Sequence, residues 1–260
     1  MQRGSKKEYI QKVKQLREQL CMGIQEGLDL LDQTGGDVAQ ASARFKEKML
    51  RVTTDFVRLP EENVLPYLEE YKYDAGRAID QILDDFRLVD GVPQPLPVYL
   101  LHKYRNNKKE AVEQLATLVE KKAQLKRDWK SVGYYEHPWL AEELLLQLNE
   151  PSRCVLALTE WLRFEDSEGF ENALFYNLDL AVTQMQVLDQ SNLAAALRMA
   201  RDIYNEHEET HQQGPAFYKA LNKDKDYQAA RRFFLASREL LTNKLYDFIQ
   251  ANLDQLALPD

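Results

Sequence analysis

The chain has 260 residues, 44% apolar and 29% charged, with 10 Gly, 9 Pro and a formal net charge of −8. Gly and Pro make up about 7% against a usual share of roughly 12%, too few for the frequent turns of a β-sandwich, barrel or propeller. The apolar content excludes a disordered chain, and a chain this long buries roughly 70–75% of its unfolded surface without needing a metal or disulfide.

Ile10, Val13, Leu16 and Leu20 recur at steps of three and four and predict a helix with one apolar stripe. A degenerate repeat follows. Leu30-Leu31, then Asp37 and Ala41, return as Tyr67-Leu68, Asp74 and Ala78, and more weakly as Leu100-Leu101, Asn107 and Ala111. Phe45, Ile82 and Leu115 hold the equivalent next-turn position. The pattern describes a Leu-bearing helix end, a tight polar turn, an Asp or Asn cap and a small Ala that allows close approach. Asp37 with Gln40 resembles a capping box. Repeats of this length predict helix pairs stacked side by side.

Gly91-Val92-Pro93-Gln94-Pro95-Leu96-Pro97 reads as a connector, because three prolines in a short span cannot sit inside a helix. Residues 108–130 read as one long helix, with Val112, Leu115, Leu118, Val119, Leu125 and Trp129 among basic neighbours; Ser131-Val132-Gly133 then interrupts. Ser152 is the expected cap of a helix to about Arg163, Ser167 of one to about Leu188, and Ser191 of one stopping near Gly214-Pro215. Tyr227 to Leu253 reads as a terminal amphipathic helix with Ala230, Phe233, Phe234, Leu241, Leu245 and Phe248 inside. Trp139, Trp161, Phe164, Phe170, Phe175 and Tyr176 read as core. No stretch alternates with period two, so no strand is predicted. The expected fold is all-α: helical hairpin modules over 1–90, the Pro-rich connector at 91–97, and an antiparallel helical bundle or solenoid over 98–260.

Residues 13–45 carry a resemblance. Val13, Lys14, Leu16, Arg17, Glu18, Gly23, Leu31, Gly36, Asp37 and Ala41 fall, without a gap, at the spacing of the small UBA-like domain that opens bacterial elongation factor Ts. Leu20-Cys21 stands where that family usually has Thr-Gly, and Gly27-Leu28-Asp29 where it has a Cys-Lys-Lys stretch. Thr54-Asp55-Phe56-Val57 looks like a partner-contacting motif of the same family, although there the motif follows a strand well downstream and here it follows Asp37 by under 20 residues in helical surroundings. The resemblance implies that the hairpin modules are UBA-like, of a kind that docks on other proteins. It does not imply nucleotide exchange, because nothing like the factor's larger core follows.

Charge is segregated: residues 96–130 carry 9 basic and 4 acidic side chains, whereas 131–190 carry only Arg153 and Arg163 against 11 acids. The acidic stretch, with Glu142, Glu143, Glu160, Glu165 and Asp166, suits a basic protein partner. The turns at Gly35-Gly36 and at Tyr71 to Tyr73 are further expected contacts. The leading expectation is a non-enzymatic module that binds a protein by shape and charge, as acidic inhibitor or immunity proteins do. Two alternatives stand beside it. His207-Glu208-Glu209-Thr210-His211 fits HExxH, in which His207 and His211 would ligate zinc and Glu208 would act as general base. Phe217, however, occupies the position of a third His, and the surrounding run is polar throughout. Lys121, Lys122, Lys126 and Arg127 could instead track a phosphate backbone, although the acidic middle argues against nucleic acid and can neutralise them internally. No phosphate loop or other catalytic set is present, and no cofactor is expected. Cys21 and Cys154 read as buried thiols of a reducing compartment. With no signal peptide and no apolar run near the roughly 20 residues of a membrane span, a cytoplasmic protein free of the membrane is expected, with oligomerisation left open.

Overall fold

A computed structural model of the protein describes residues 6–127, 139–211 and 214–256. They form two compact units, one ending at Tyr99 and the other beginning at Leu100. In the first, α1 (Lys6–Gln19), α2 (Ile24–Gln33), α3 (Val38–Val57), α4 (Glu61–Glu70) and α5 (Ala75–Phe86) enclose one core. Val13, Leu16 and Leu20 are buried in it as the periodicity requires, whereas Ile10, one turn earlier, is exposed.

The repeated turn is built as the residue pattern demands. Asp37, Asp74 and Asn107 cap α3, α5 and α7 (Lys108–Lys122); each side-chain oxygen accepts the backbone N–H three residues on, from Gln40 at 3.0 Å, Arg77 at 3.2 Å and Glu110 at 3.3 Å. Ala41, Ala78 and Ala111 are buried. In the first two copies the chain reverses through left-handed pairs, Gly35-Gly36 and Lys72-Tyr73. The second residue of each pair donates its N–H to the Leu carbonyl five back, Leu31 at 2.7 Å and Leu68 at 2.6 Å, as in a Schellman C-cap. The third copy turns through Arg105-Asn106 without left-handed residues.

Residues 88–93 overturn the expectation of no strand. Leu88–Val89 (β1) and Val92–Pro93 (β2) pair antiparallel, Leu88 opposite Pro93 and Val89 opposite Val92. The two-residue loop is Asp90-Gly91, both left-handed, the backbone of a type I′ turn that Asp-Gly favours. A side chain at Gly91 would not fit, because its Cβ would stand 2.6 Å from Arg58 Cδ. The prolines also enter regular structure. Pro93 ends β2, and Pro97 lies in the first turn of α6 (Leu96–Lys103), where its missing N–H leaves no helical bond unmade.

The second unit is organised around one helix. α9 (Glu150–Glu168) is buried without interruption from Cys154 to Trp161, the mark of a core helix rather than an amphipathic one. α7, α8 (Glu142–Leu146), α10 (Phe170–Ala173), α11 (Leu178–Val187) and α14 (Lys225–Ala251) pack against it, and α12 (Ser191–His211) joins α11, α13 (Pro215–Leu221) and α14. Trp161 anchors the core, its ring edge-on to Phe234 and its Nε1–H donated to Ala173 O at 2.9 Å.

Several boundaries differ from expectation. Asn149, not Ser152, caps α9, and Ser167 is internal to that helix, which stops at left-handed Gly169. α7 ends at Lys122; α12 runs from Ser191 to His211, stopping near Gly214-Pro215 as expected, and Pro215 opens α13. Phe233 is 44% exposed and Phe175 is half exposed, although both were expected inside. Apart from the small hairpin the protein is all-α. No described helix is long and apolar enough to cross a membrane.

Candidate functional site

α7, α9 and α14 leave a cleft of about 620 Å³ in the second unit. Val112, Leu162 and Leu235 form its apolar wall; Arg105, Asn106 and the start of α7 lie on one side, Glu239 and Asn243 of α14 on another. The first-turn N–H groups of α7 have no helical carbonyl to meet, and the helix dipole makes that end partially positive. Most of the lining charge is already paired. Lys109 donates to one oxygen of Asp166 at 3.1 Å and Arg238 to the other. Arg238 also stands 3.1 Å from Glu165. Lys108 reaches Asp247 at 3.2 Å and lies over the ring of Tyr246, and Glu113 receives Arg163 at 2.6 Å. Arg105 and Glu239 have no partner among the described residues.

Environment splits the adjacent carboxyls. Burial raises the pKa of Glu165, and the charge of Arg238 offsets this only in part. Burial works the same way on Asp166, but hydrogen bonds from Arg238 and Lys109 outweigh it and hold Asp166 below the ordinary carboxylate range.

Thr159 lines the cleft from α9, is 1% exposed, and has no partner for its hydroxyl. Thr117, Thr183 and Thr242 in the same unit return their hydroxyls to the carbonyl four residues back, at 2.9, 2.7 and 3.1 Å. Thr159 does not. A buried hydroxyl left unpartnered costs about 1–3 kcal/mol.

The acidic stretch does not form one surface. Glu143 is exposed and Glu142 half-buried at the start of α8, but Glu160 is 1% exposed. It accepts the N–H of Leu140 at 2.8 Å and two guanidinium bonds from Arg127 at 2.8 and 3.0 Å. Glu165 is buried too. The internal neutralisation that the charge pattern allows is present in part: Arg127 meets Glu160, and Lys109 meets Asp166. Arg127 is thereby held between two carboxylates, Glu120 and Glu160. Burial would lower its pKa, but the hydrogen bonds it donates to Glu120 and the charge of Glu160 raise it above the usual arginine value. Lys121, Lys122 and Lys126 remain exposed; Trp129, Lys130 and the break at 131–133 lie outside the described residues. At the N-terminal turns Gly35 is exposed, but Gly36 is buried, and a Cβ on it would lie 3.2 Å from the ring of Tyr9. Tyr71 is half-buried and donates to Gln81 at 3.4 Å. Tyr73 is buried, with Lys46 over its ring. Gly36 and Tyr73 are thus buried within the turns, whereas Gly35 is exposed and Tyr71 half-buried.

In the HExxH stretch, His207 Nε2 lies 3.2 Å from Asp224 Oδ2. Asp224 caps α14, accepting from Asp226 and Tyr227. The Tyr227 N–H bond, opposed by burial and aided by His207, holds Asp224 below its ordinary range. Glu208 is half-buried, and the side chain of His211 lies outside the described residues. Phe217 is fully buried, its ring 4.9 Å from that of Tyr204. Among the described residues no group of three or more His, Cys, Asp and Glu is placed to hold a metal ion. Cys154 is buried, which pushes its thiol up to about 12, whereas Cys21 is exposed, contrary to expectation.

The cleft escaped sequence reasoning because its residues run from Arg105 to Asn243 across three helices. The one local signal was Thr159, a hydroxyl set in the otherwise apolar Cys154–Trp161 run.

Comparison with known proteins bears on this second unit. The uncharacterized protein YfbN of Escherichia coli (strain K12) is 25% identical over 199 residues, 76% of each chain. No solved structure matches the chain significantly. The resemblance of residues 13–45 to elongation factor Ts gains no support from these matches. The family model described as the YfbN C-terminal domain matches residues 96–254, a span that takes in α6 to α14 and the whole cleft, and the chain belongs to that family.

Proposed function

We propose that the protein acts by binding a protein partner, without chemistry of its own, and that the α7–α9–α14 cleft holds part of that partner. The observation that carries this is the composition of the cleft: an apolar wall with exposed Leu235, next to the unpaired charges Arg105 and Glu239 and the unpartnered Thr159. Concavity, apolar walls and a few unsatisfied polar groups characterise recognition sites. With Glu160 and Glu165 in the interior, recognition centres on the cleft and not on the acidic stretch as a whole. An exposed free thiol at Cys21 suits the reducing cytoplasm.

The test uses Leu235→Glu, at a half-exposed position where the fold tolerates charge. The immobilised wild-type chain and the variant are exposed to extract of the native host. Proteins retained by wild type and lost from L235E at equal folding, judged by circular dichroism, support the reading. Identical retention profiles refute it.

A further inference from the structure

We propose that the cleft recognises a carboxylate-rich segment of its partner, seated on the N-terminus of α7; this rests on the cleft being the partner site. The hydrogen-bonding inventory is one-sided. The acceptors are largely used: Asp166 gives one oxygen to Lys109 and the other to Arg238, and Glu113 receives Arg163. The donors are in surplus. Arg105 has no partner among the described residues, and it precedes the first-turn N–H groups of Lys108 and Lys109, which a helix leaves open. The buried hydroxyl of Thr159 adds an unsatisfied polar group that is independent of the helix end.

Net charge does not decide the matter, because Lys108, Lys109 and Arg238 are balanced by Asp247, Asp166 and Glu165 and Glu113 by Arg163; the preference rests on Arg105, the open amides of α7 and Thr159. A partner carboxylate at Arg105 gains a charge-assisted, bidentate contact, and the helix terminus adds backbone donors and dipole. The methylenes of a Glu side chain would lie on Val112 and Leu162. A basic segment would find only Glu239 unpaired. The expected ligand is therefore opposite in charge to the one that the acidic sequence stretch points to.

The experiment is an NMR titration of the ¹⁵N-labelled full chain, with the threonine methyls also labelled. The probes are acetylated hexaglutamate, hexalysine and succinate. Hexaglutamate is expected to shift the amides of Lys108 and Lys109 and the methyl of Thr159, and hexalysine to leave them unmoved. Arg105→Glu should weaken hexaglutamate by about tenfold or more, and Arg105→Gln by less. Arg105 lies in an exposed turn, so an unchanged amide spectrum elsewhere verifies the fold of both variants. If hexaglutamate leaves Lys108 and Lys109 unmoved, if R105E binds it equally well, or if hexalysine moves the same signals, the proposal falls. Succinate matching hexaglutamate at equal concentration would also overturn it, because the ligand would then be a small carboxylate and not a protein segment. The two readings fail separately. L235E-sensitive retention of a partner with no hexaglutamate response removes only the carboxylate assignment, whereas a hexaglutamate response with no L235E-sensitive partner removes the protein-binding function.

Discussion

Glu160→Ala tests the internal electrostatics of the second unit most directly. The substitution removes the acceptor of the Leu140 N–H and of two Arg127 bonds, all at 2.8–3.0 Å and at a site 1% exposed. Removing one partner of a buried ion pair costs about 3–5 kcal/mol. Arg127 keeps Glu120 at 2.7 Å and its side chain is 24% exposed, which places the loss near the lower end, at about 3 kcal/mol. Roughly 1 kcal/mol of that belongs to the Leu140 N–H alone. For a unit of this size each kcal/mol moves the midpoint by about 2–4 °C, so a fall of about 6–12 °C is expected. Tryptophan fluorescence in urea reads this unit selectively, because Trp129, Trp139 and Trp161 all lie beyond residue 100. The double variant Glu160→Leu with Arg127→Met should recover part of the loss, since the desolvation of both charges disappears with the pair while the Leu140 N–H and Glu120 stay without their partners. The reasoning is refuted if E160A stays within 1 kcal/mol of wild type, or if the double variant is as damaged as the single one.

Three further outcomes are expected. Asp74→Ala and Asn107→Ala should each lose about 1 kcal/mol, read as faster hydrogen exchange in the first turns of α5 and α7; unchanged exchange would show that the caps contribute nothing. Burial raises the pKa of Glu165 in the folded state, so its stabilising contribution is present below the unfolded value and is lost as pH rises through the folded one. Glu165→Gln should therefore be more stable than wild type at pH 7, with the gap closing toward pH 4 in urea titrations; a gap that widens in acid contradicts the assignment. Finally, a thiol reagent at pH 8 should modify the exposed Cys21, at a rate held down by partial desolvation and by its hydrogen bond to Asp74, and leave Cys154 untouched until denaturant is added, and equal labelling of both would show that the core opens.

The local grammar of the chain was readable. Asp37, Asp74 and Asn107 announce helix starts because a short side-chain oxygen placed before an apolar period has one useful partner, the N–H three residues on. Asp90-Gly91 carried an equally local signal for the hairpin, but the prolines beside it drew the reading toward a plain connector. Burial of charge was not readable. Glu160 and Glu165 sit in a run of acids that looks like a solvated helix face, and only the approach of Arg127, from the segment after α7, and of Arg238, from α14, reveals them as interior. The cleft failed for the same reason: Arg105, Thr159 and Asn243 have no sequence relation, and their proximity is a property of how three helices cross.

The location of α9 also fixes an order of events during synthesis. The contacts of the first unit join helices adjacent or nearly adjacent in the chain, so its pairing can proceed as those residues emerge. α9, by contrast, needs α7 before it and α14 after it, and Lys108 waits for Asp247. Until the last helix is made, the apolar run from Cys154 to Trp161 has no cover on that side. Contacts so distant in sequence close slowly, and exposed apolar surface invites aggregation in the interval. Exposure of apolar surface during synthesis is thus concentrated in the interval between the emergence of α9 and that of α14.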